Sequence, residues 1–266
     1  MFDWLAPIDQ SQIHAAALRR HEPETGKWFL DGEPFRDWRL NHSTSMWICD
    51  NAGIGKTVLF SSAVSRIEQE SKSSILGSSL AYFYCSYRKG AQHDLSPILR
   101  TLIAQLCPPD AIPGPLQALY EKHISKFPPG VPSESELQTS LLEIIHSLRE
   151  VASVDDKAQE RDVFVLLDAL DELTDADRGP VIKFLEWLSS HGVPKLHMLV
   201  TSRDLSGIRA GLKSWGTPML MDKKGVAEDI RLFVDGAIQQ DSELSRQRVA
   251  IKDQIKERLV DESNPL

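Results

Sequence analysis

The sequence predicts an α/β protein of three layers, in which a five-stranded, mostly parallel sheet lies between helices and further helices are added at both ends. Two observations carry this prediction. Apolar segments suited to strands alternate with longer amphipathic segments suited to helices, which favours right-handed crossovers and a parallel sheet. Residues 163–167 and 196–200 are continuous apolar runs, typical of strands that are buried on both faces.

The predicted elements follow from hydrophobic periodicity and from the positions of glycine and proline. Strands are expected at residues 45–49, 79–87, 163–167, 196–200 and 217–221. Helices are expected at residues 12–21, 56–70, 95–106, 116–124, 134–150, 179–190, 226–237 and 245–260. Prolines 108 and 109 should end one helix, the segment 128–132 should form a turn, and residues 155–161 should form a charged loop.

The first strand leads into the turn Asp-Asn-Ala-Gly-Ile-Gly-Lys-Thr, and a helical pattern follows. Strand, glycine turn and helix in this order are typical of a phosphate-binding loop, in which backbone N–H groups and the helix N-terminus hold phosphate oxygens. Lys56 would reach the β- and γ-phosphates, and the Thr57 hydroxyl would ligate Mg²⁺. The predicted nucleotide-binding residues are Gly53, Ile54, Gly55, Lys56, Thr57 and Val58.

Position 50 departs from the loop pattern G-x-x-x-x-G-K-[ST], because Asp50 stands where the first glycine is expected. Its carboxylate would repel phosphate, so Asp50→Gly is expected to tighten ATP binding. In the rival account Asp50 bonds to its own loop and holds it ready for phosphate. The glycine variant would then bind ATP more weakly.

Two further strand ends carry polar groups that phosphate chemistry can use, and ligands bind at the carboxyl ends of parallel strands. Asp168 would hold Mg²⁺ through water, and Asp171 or Glu172 would polarise the attacking water. Arg203 would contact the γ-phosphate and stabilise charge in the transition state. Taken singly, an aspartate at a strand end is more often a helix cap, and an arginine is more often a surface residue.

Composition excludes several other classes of protein. The net charge of −8 argues against non-specific nucleic-acid binding, which needs a basic surface. Eight histidines are scattered without the spacing of a zinc site. Three widely spaced cysteines indicate free thiols in a reducing compartment, and no apolar run reaches the length of a membrane span. A cytoplasmic location is therefore expected.

On these residues the chain resembles the NACHT class of STAND-type P-loop NTPases, in the nephrocystin-type version of large fungal NOD-like receptors. The resembling segments are residues 21–30, 53–59, 80–87, 166–173 and 199–203, and the likeness extends from about residue 4 to residue 235. The series Asp-Ala-Leu-Asp-Glu at 168–172 fits the acidic motif of this family closely.

The resemblance implies the sheet order 5-1-4-3-2 and a signalling switch that binds ATP or ADP with Mg²⁺ and hydrolyses ATP slowly. It further implies self-association in the ATP-bound state, effector and sensor domains outside this chain, and a role in innate immunity or self/non-self recognition. Residues 1–40 should dock on the core, 41–235 should form it, and 236–266 should begin a C-terminal helical region. Trp28, Phe29, Phe35 and Trp38 should anchor the first segment, although residues 24–28 could instead lie near the nucleotide base.

The chain also departs from the family pattern. Asp50 replaces a glycine, Ala52 stands where proline is common, and no winged-helix segment is visible before Leu266. A short gene product or a fragment cut after the core is therefore expected. The competing hypothesis is a NACHT-type scaffold with a weakened site, retained for oligomerisation or protein interaction. A third, a nucleic-acid-dependent ATPase, is disfavoured by the acidic charge.

Overall fold

The computed structural model describes residues 1–41, 43–73, 77–85, 95–107, 111–125, 127, 129–149 and 160–263. Parts of five predicted features lie outside these residues. They are the end of the strand at 79–87, the prolines at 108 and 109, Pro128, the last residue of the helix at 134–150 and most of the loop at 155–161.

A parallel sheet forms the middle layer. In the described residues its strands are β1 (Ser43–Cys49), β2 (Ser78–Tyr84), β3 (Asp162–Asp168), β4 (Leu196–Ser202) and β5 (Met219–Leu220). They lie in the order β2-β3-β4-β1-β5, and every pairing is parallel. The predicted fold class and sheet order are confirmed.

Helices cover both faces of the sheet. The N-terminal helices are α1 (Phe2–Leu5), α2 (Ser11–Leu18), α3 (Lys27–Leu30) and α4 (Glu33–Leu40). Next come α5 (Lys56–Ser73), α6 (Leu95–Leu106), α7 (Gly114–Ile124) and α8 (Glu134–Arg149). The others are α9 (Asp175–Ser190), α10 (Ser206–Gly211), α11 (Lys223–Gln240) and α12 (Val249–Ser263).

The buried side chains form two hydrophobic clusters, one on each face of the sheet. Val163, Val165 and Leu167 of β3 belong to the cluster that α6, α8 and α9 cover. Phe164 and Leu166 belong to the cluster that α3, α4 and α5 cover. Because successive residues of a strand point to opposite faces, this continuous apolar run serves both clusters, which explains the three layers.

The first forty residues are part of this packing. Phe29, Phe35 and Trp38 are buried in the second cluster, as predicted. The Trp38 indole N–H donates to the carbonyl of Met198 at 3.0 Å, which ties the segment to β4. Trp28 is only half-buried; it packs against the second cluster and also contacts α11. The sequence analysis predicted anchors here but not the short helices α3 and α4.

Several predicted boundaries are wrong, chiefly because caps were overlooked. The helix expected from residue 179 begins at Asp175, since Thr174 accepts a hydrogen bond from the Asp177 N–H. The helix expected at 226–237 begins at Lys223 behind the capping carboxylate of Asp222. It continues to Gln240, beyond the predicted end at residue 237.

Other elements are shorter than predicted or shifted. The strand expected at 217–221 comprises only Met219–Leu220. The helix expected at 12–21 ends at Leu18, and tight turns follow it. The last helix begins at Val249 rather than 245, because the Asp241 carboxylate accepts from two backbone N–H groups and holds a turn there.

Candidate nucleotide-binding site

The loop between β1 and α5 has the backbone of a phosphate-binding turn. Gly53 and Gly55 have φ values of 83° and 98°, a region that glycine enters without the strain that a Cβ brings. Helix α5 then begins at Lys56, so its first N–H groups open into the turn. The local sequence thus builds a site that suits an anion.

The Lys56 side chain bonds to the backbone of this loop. Its ammonium donates to the carbonyl oxygens of Asp50 at 2.7 Å and of Asn51 at 2.6 Å. Burial lowers the pKa of Lys56, while the carboxylates of Asp171, Asp50 and Asp168 act in the opposite direction. The ammonium therefore lies between the loop and the acidic ends of the neighbouring strands.

Asp50 fits the turn despite replacing a glycine. Asp50 does not have a positive φ, so a residue with a Cβ is accommodated at this position without backbone strain. One carboxylate oxygen accepts from the Asn51 N–H at 2.7 Å, and the Asp50 N–H donates to the Ser202 carbonyl at 3.3 Å. Asp50 is thus a turn residue bonded to its own loop.

The two predicted metal ligands meet at the end of β3. Asp168 is only 2% exposed, and its carboxylate accepts a hydrogen bond from the Thr201 hydroxyl. The Thr57 hydroxyl lies close enough to lower the pKa of this carboxyl group. Burial raises the pKa of Asp168 to about 6; the two hydroxyls oppose this shift, and Glu172 and Asp171 add to it. A hydroxyl beside a buried carboxylate is an arrangement that suits Mg²⁺.

This pair would share a metal with other ligands rather than enclose it. Among the described residues, no group of three or more His, Cys, Asp or Glu side chains could hold a metal ion. Mg²⁺ usually keeps several waters and binds through one or two carboxylates together with substrate phosphates. The donors present therefore fit a magnesium ion that arrives with a nucleotide.

The acidic turn after β3 separates the roles of Asp171 and Glu172. Asp171 accepts from the Arg203 backbone N–H at 2.8 Å and from its Nε at 2.6 Å, one bond to each oxygen. Its side chain is 8% exposed, against 50% for Arg203. Glu172 is exposed, and no hydrogen bond of its carboxylate is found within the described part of the chain. Glu172 is therefore the better candidate to polarise water.

Arg178 is a residue of this site that the sequence analysis missed. Its guanidinium donates to the carbonyls of Leu170, Asp171 and Leu173, so it holds the turn that carries the two acidic residues. Ala169 enters that turn with φ 58°. Contacts to backbone carbonyls leave no pattern in a sequence, so they could not be predicted. The available signal for Arg178 was a basic residue shortly after an acidic turn.

A cleft of about 650 Å³ opens beside the loop. The N-terminal segment provides one wall with Arg20, His21, Glu22, Thr25 and Gly26. The loop and α5 provide the floor with Ala52, Gly53, Ile54, Gly55, Val58, Leu59 and Ser62. The other wall consists of Met221, Val226, Asp229, Ile230 and Phe233. The alternative that residues 24–28 lie near a nucleotide base thus has geometric support, whereas the contribution of α11 was not predicted.

Cys49, Cys85 and Cys107 are free and buried, as expected for inert thiols. No helix in the described ranges is both long enough and apolar enough to cross a membrane.

Comparison with solved structures found distant matches. The ORC1 protein of Aeropyrum pernix, solved in complex with DNA, matches at 15% identity and a TM-score of 0.40, over 84% of this chain and 49% of that one. Cdc6p of Pyrobaculum aerophilum matches at 13% identity and a TM-score of 0.44, over 86% of this chain and 54% of that one. A Walker-type ATPase of Pyrococcus abyssi matches at 11% identity and a TM-score of 0.44, over 94% of this chain and 62% of that one. The chain thus spans less than two thirds of each.

Sequence comparisons are more specific. No curated protein matches the chain. The family model described as nephrocystin 3, N-terminal, matches residues 24–203, which run from the wall of the cleft through the loop and the acidic turn to Arg203. The chain belongs to the nephrocystin 3 N-terminal family.

Proposed function

We propose that the chain binds ATP or ADP together with Mg²⁺ and hydrolyses ATP slowly, as a nucleotide-dependent switch. One observation carries the proposal: Lys56 and Thr57 meet Asp168 and the Asp171–Arg203 pair at one edge of the sheet, beside a cleft of nucleotide size. Neighbouring strand ends supply all these groups, as is usual for ligand sites in parallel sheets.

Each group has a distinct part in the proposed reaction. Lys56 would leave the two loop carbonyls and bind the β- and γ-phosphates. Thr57 and Asp168 would hold Mg²⁺, which when bound offsets the charge of the phosphates. Glu172 would orient a water molecule and accept its proton, and Arg203 would stabilise charge on the transferred phosphoryl group. Asp171 would hold Arg203 in reach of the site.

We further propose that this site is the switch of a NACHT-class, STAND-type signalling protein. The family match and the D-A-L-D-E series support the class, and the receptor role in innate immunity or self/non-self recognition follows from the resemblance alone. Effector and sensor domains would lie outside this chain. The buried free cysteines support a reducing compartment such as the cytoplasm.

Asp50 gives the alternative its support. A carboxylate in the phosphate loop would weaken phosphate binding, and the domain would then serve as a scaffold for protein interaction. Lys56 already bonds to the Asp50 and Asn51 carbonyls, so contacts within the chain itself hold the loop without a ligand. Measured nucleotide affinity distinguishes the two functions.

Replacing Lys56 tests the proposed function. Lys56→Ala removes the main charge that would face the β- and γ-phosphates, so ATP binding should fall below detection while the fold persists. Calorimetric titration with ATP and ADP, with and without Mg²⁺, measures binding, and circular dichroism checks the fold. Lys72→Ala, at the exposed far end of the same helix, is the matched control. Equal affinity for the wild type and a well-folded Lys56→Ala variant would overturn the proposal.

A further inference from the structure

Helix α11 and the N-terminal segment form opposite walls of the cleft, and the Asp229 side chain hydrogen-bonds across from one to the other. The Asp229 carboxylate accepts from the Gly26 backbone N–H at 2.9 Å through one oxygen and from the Trp28 indole N–H at 2.9 Å through the other. These residues lie about two hundred positions apart in the chain. Both carboxylate oxygens are therefore used to hold the two walls together.

The surrounding contacts show that this junction is built for close approach. A Cβ added at Gly225 would lie 2.3 Å from Cγ of Trp28, so only glycine leaves room for the indole ring against the helix. Asp229 lies about one turn after Gly225, and Val226, Ile230 and Phe233 of the same helix line the cleft with it. Positions 225, 226, 229, 230 and 233 lie on one face of the helix.

The same helix face thus contacts the N-terminal segment and faces the space beside the phosphate loop. Thr25 and Gly26 line the cleft directly, next to the bond that Asp229 makes. A ligand in the cleft would touch both walls, and its binding would depend on how firmly the walls are joined. By linkage, a ligand that binds the joined state better must also stabilise that state.

We infer that Asp229 is a positioning residue that couples docking of α11 on the N-terminal segment to occupancy of the cleft by a nucleotide. The inference rests on the proposed function and adds a residue from outside the segment that the family model matches. Nucleotide binding would tighten the contact between α11 and residues 25–28. Displacement of α11 would in turn lower nucleotide affinity.

Three variants test the coupling in the full chain. Asp229→Ala removes both hydrogen bonds, Trp28→Phe removes only the indole donor, and Gly225→Ala wedges the junction without changing a charge. Glu228→Gln removes a carboxylate from the adjacent, exposed position and is the control for Asp229. Gly179→Ala, at a helical glycine with open space around it, is the control for Gly225.

Two measurements are needed, hydrogen exchange of the α11 amides in the ligand-free protein and affinity for ATP with Mg²⁺. The three variants should exchange faster in α11 than the wild type. Asp229→Ala should bind ATP about 5- to 150-fold more weakly, the usual range of such couplings. Bound nucleotide should protect α11 in the wild type, and the two control variants should match the wild type in both measurements.

The outcomes separate the inference from the proposed function. If the wild type binds nucleotide and Asp229→Ala or Trp28→Phe binds it equally well, a purely structural contact explains Asp229 and the coupling is wrong. Unchanged exchange of α11 in all three variants would equally overturn it. A wild type that binds no nucleotide would overturn the proposed function, and the coupling with it, even where the variants loosen α11.

Discussion

Asp50 shows how one side chain can act on a site in two opposing ways. If phosphates bind in the loop, the carboxylate would lie about 6–8 Å from them, and like charges at that range repel by roughly 2 kcal/mol at an effective dielectric constant of ~20. The same carboxylate also accepts the Asn51 N–H at 2.7 Å and so helps to shape the loop. Glycine at position 50 would remove both effects, and asparagine would remove only the charge.

Substitutions of Asp50 therefore separate charge from loop geometry. Asp50→Asn keeps an oxygen that can accept from Asn51, so it should bind ATP about 3- to 30-fold more tightly than the wild type. Asp50→Gly gains the same electrostatic relief but loses the bond, so it should bind more weakly than the asparagine variant. Calorimetric titrations at low and high salt measure both, and the gain of Asp50→Asn should shrink as salt rises.

A failure of Asp50→Asn to tighten ATP binding would support the other account of this residue. If Asp50→Asn binds ATP no better than the wild type at low salt, repulsion from Asp50 does not limit binding. The tightening expected from sequence for Asp50→Gly would then also lose its physical basis.

At the residue scale, sequence reasoning identified the groups that follow apolar runs directly. Lys56, Asp168 and Arg203 each stand next to the end of a buried strand or its turn, so strand periodicity places them at one edge of the sheet. Arg178 and Asp229 were missed because their partners are backbone groups or lie far away in the chain. No spacing rule reports contacts of that kind.

At the scale of elements, β2 lies at the edge of the sheet that the described residues form, and side chains cover it there. The Tyr82 N–H donates to the Gln105 side-chain oxygen at 2.7 Å, and the Tyr84 N–H donates to that of Gln10 at 3.0 Å. Gln10 is only 3% exposed and lies just before the first residue of α2, without a side-chain capping hydrogen bond to that helix. Two glutamines thus take the place of a neighbouring strand and protect an edge that could otherwise pair with another chain.

Gln10 should therefore contribute to the free energy of unfolding through its bond to β2. Gln10→Ala leaves the buried Tyr84 N–H without its acceptor, which should lower the free energy of unfolding by about 1–3 kcal/mol. Gln12→Ala, at an exposed position of α2, should stay within about 0.5 kcal/mol of the wild type. Urea unfolding measures both, and equal stabilities would show that the Gln10 contact contributes nothing.

Long elements with strong periodicity were predictable, and short ones were not. The helix Leu95–Leu106 was predicted with both ends correct, because its apolar residues mark one face throughout. Helices of four residues, such as α3, carry too few residues to show a period. Strand β5 is a two-residue edge whose pairing depends on tertiary contacts with β1.

At the scale of the whole molecule, the N-terminal segment and α11 complete a site that the sheet alone would leave open. The sheet edge supplies the loop, the acidic turn and Arg203, and the two flanking segments supply the walls of the cleft. The alternation of strands and helices along the chain predicted a parallel sheet with right-handed crossovers, and the family resemblance supplied the strand order. The position of α11 depends on Asp229 and Gly225, whose contacts only the folded chain reveals.

The proposed switch predicts different behaviour for its two acidic positions. Glu172→Gln keeps Asp168 and Thr57 available to Mg²⁺, so nucleotide binding should stay near normal while ATP turnover falls about 10²- to 10⁴-fold. The protein should then accumulate in the ATP-bound state and, if that state self-associates, its mass in solution should rise with ATP and Mg²⁺. Asp168→Asn should instead weaken Mg²⁺-dependent binding about 10- to 100-fold and stay at the ligand-free mass.

Light scattering, binding and turnover measured on the same samples decide between these outcomes. Glu143→Gln, at an exposed position of α8, is the control for loss of a carboxylate and should match the wild type. Identical binding and turnover in the Asp168 and Glu172 variants would refute the division of roles. A Glu172→Gln protein that holds ATP at the ligand-free mass would instead show that nucleotide binding does not drive self-association of this chain, because the trapped state is the one in which assembly should be strongest.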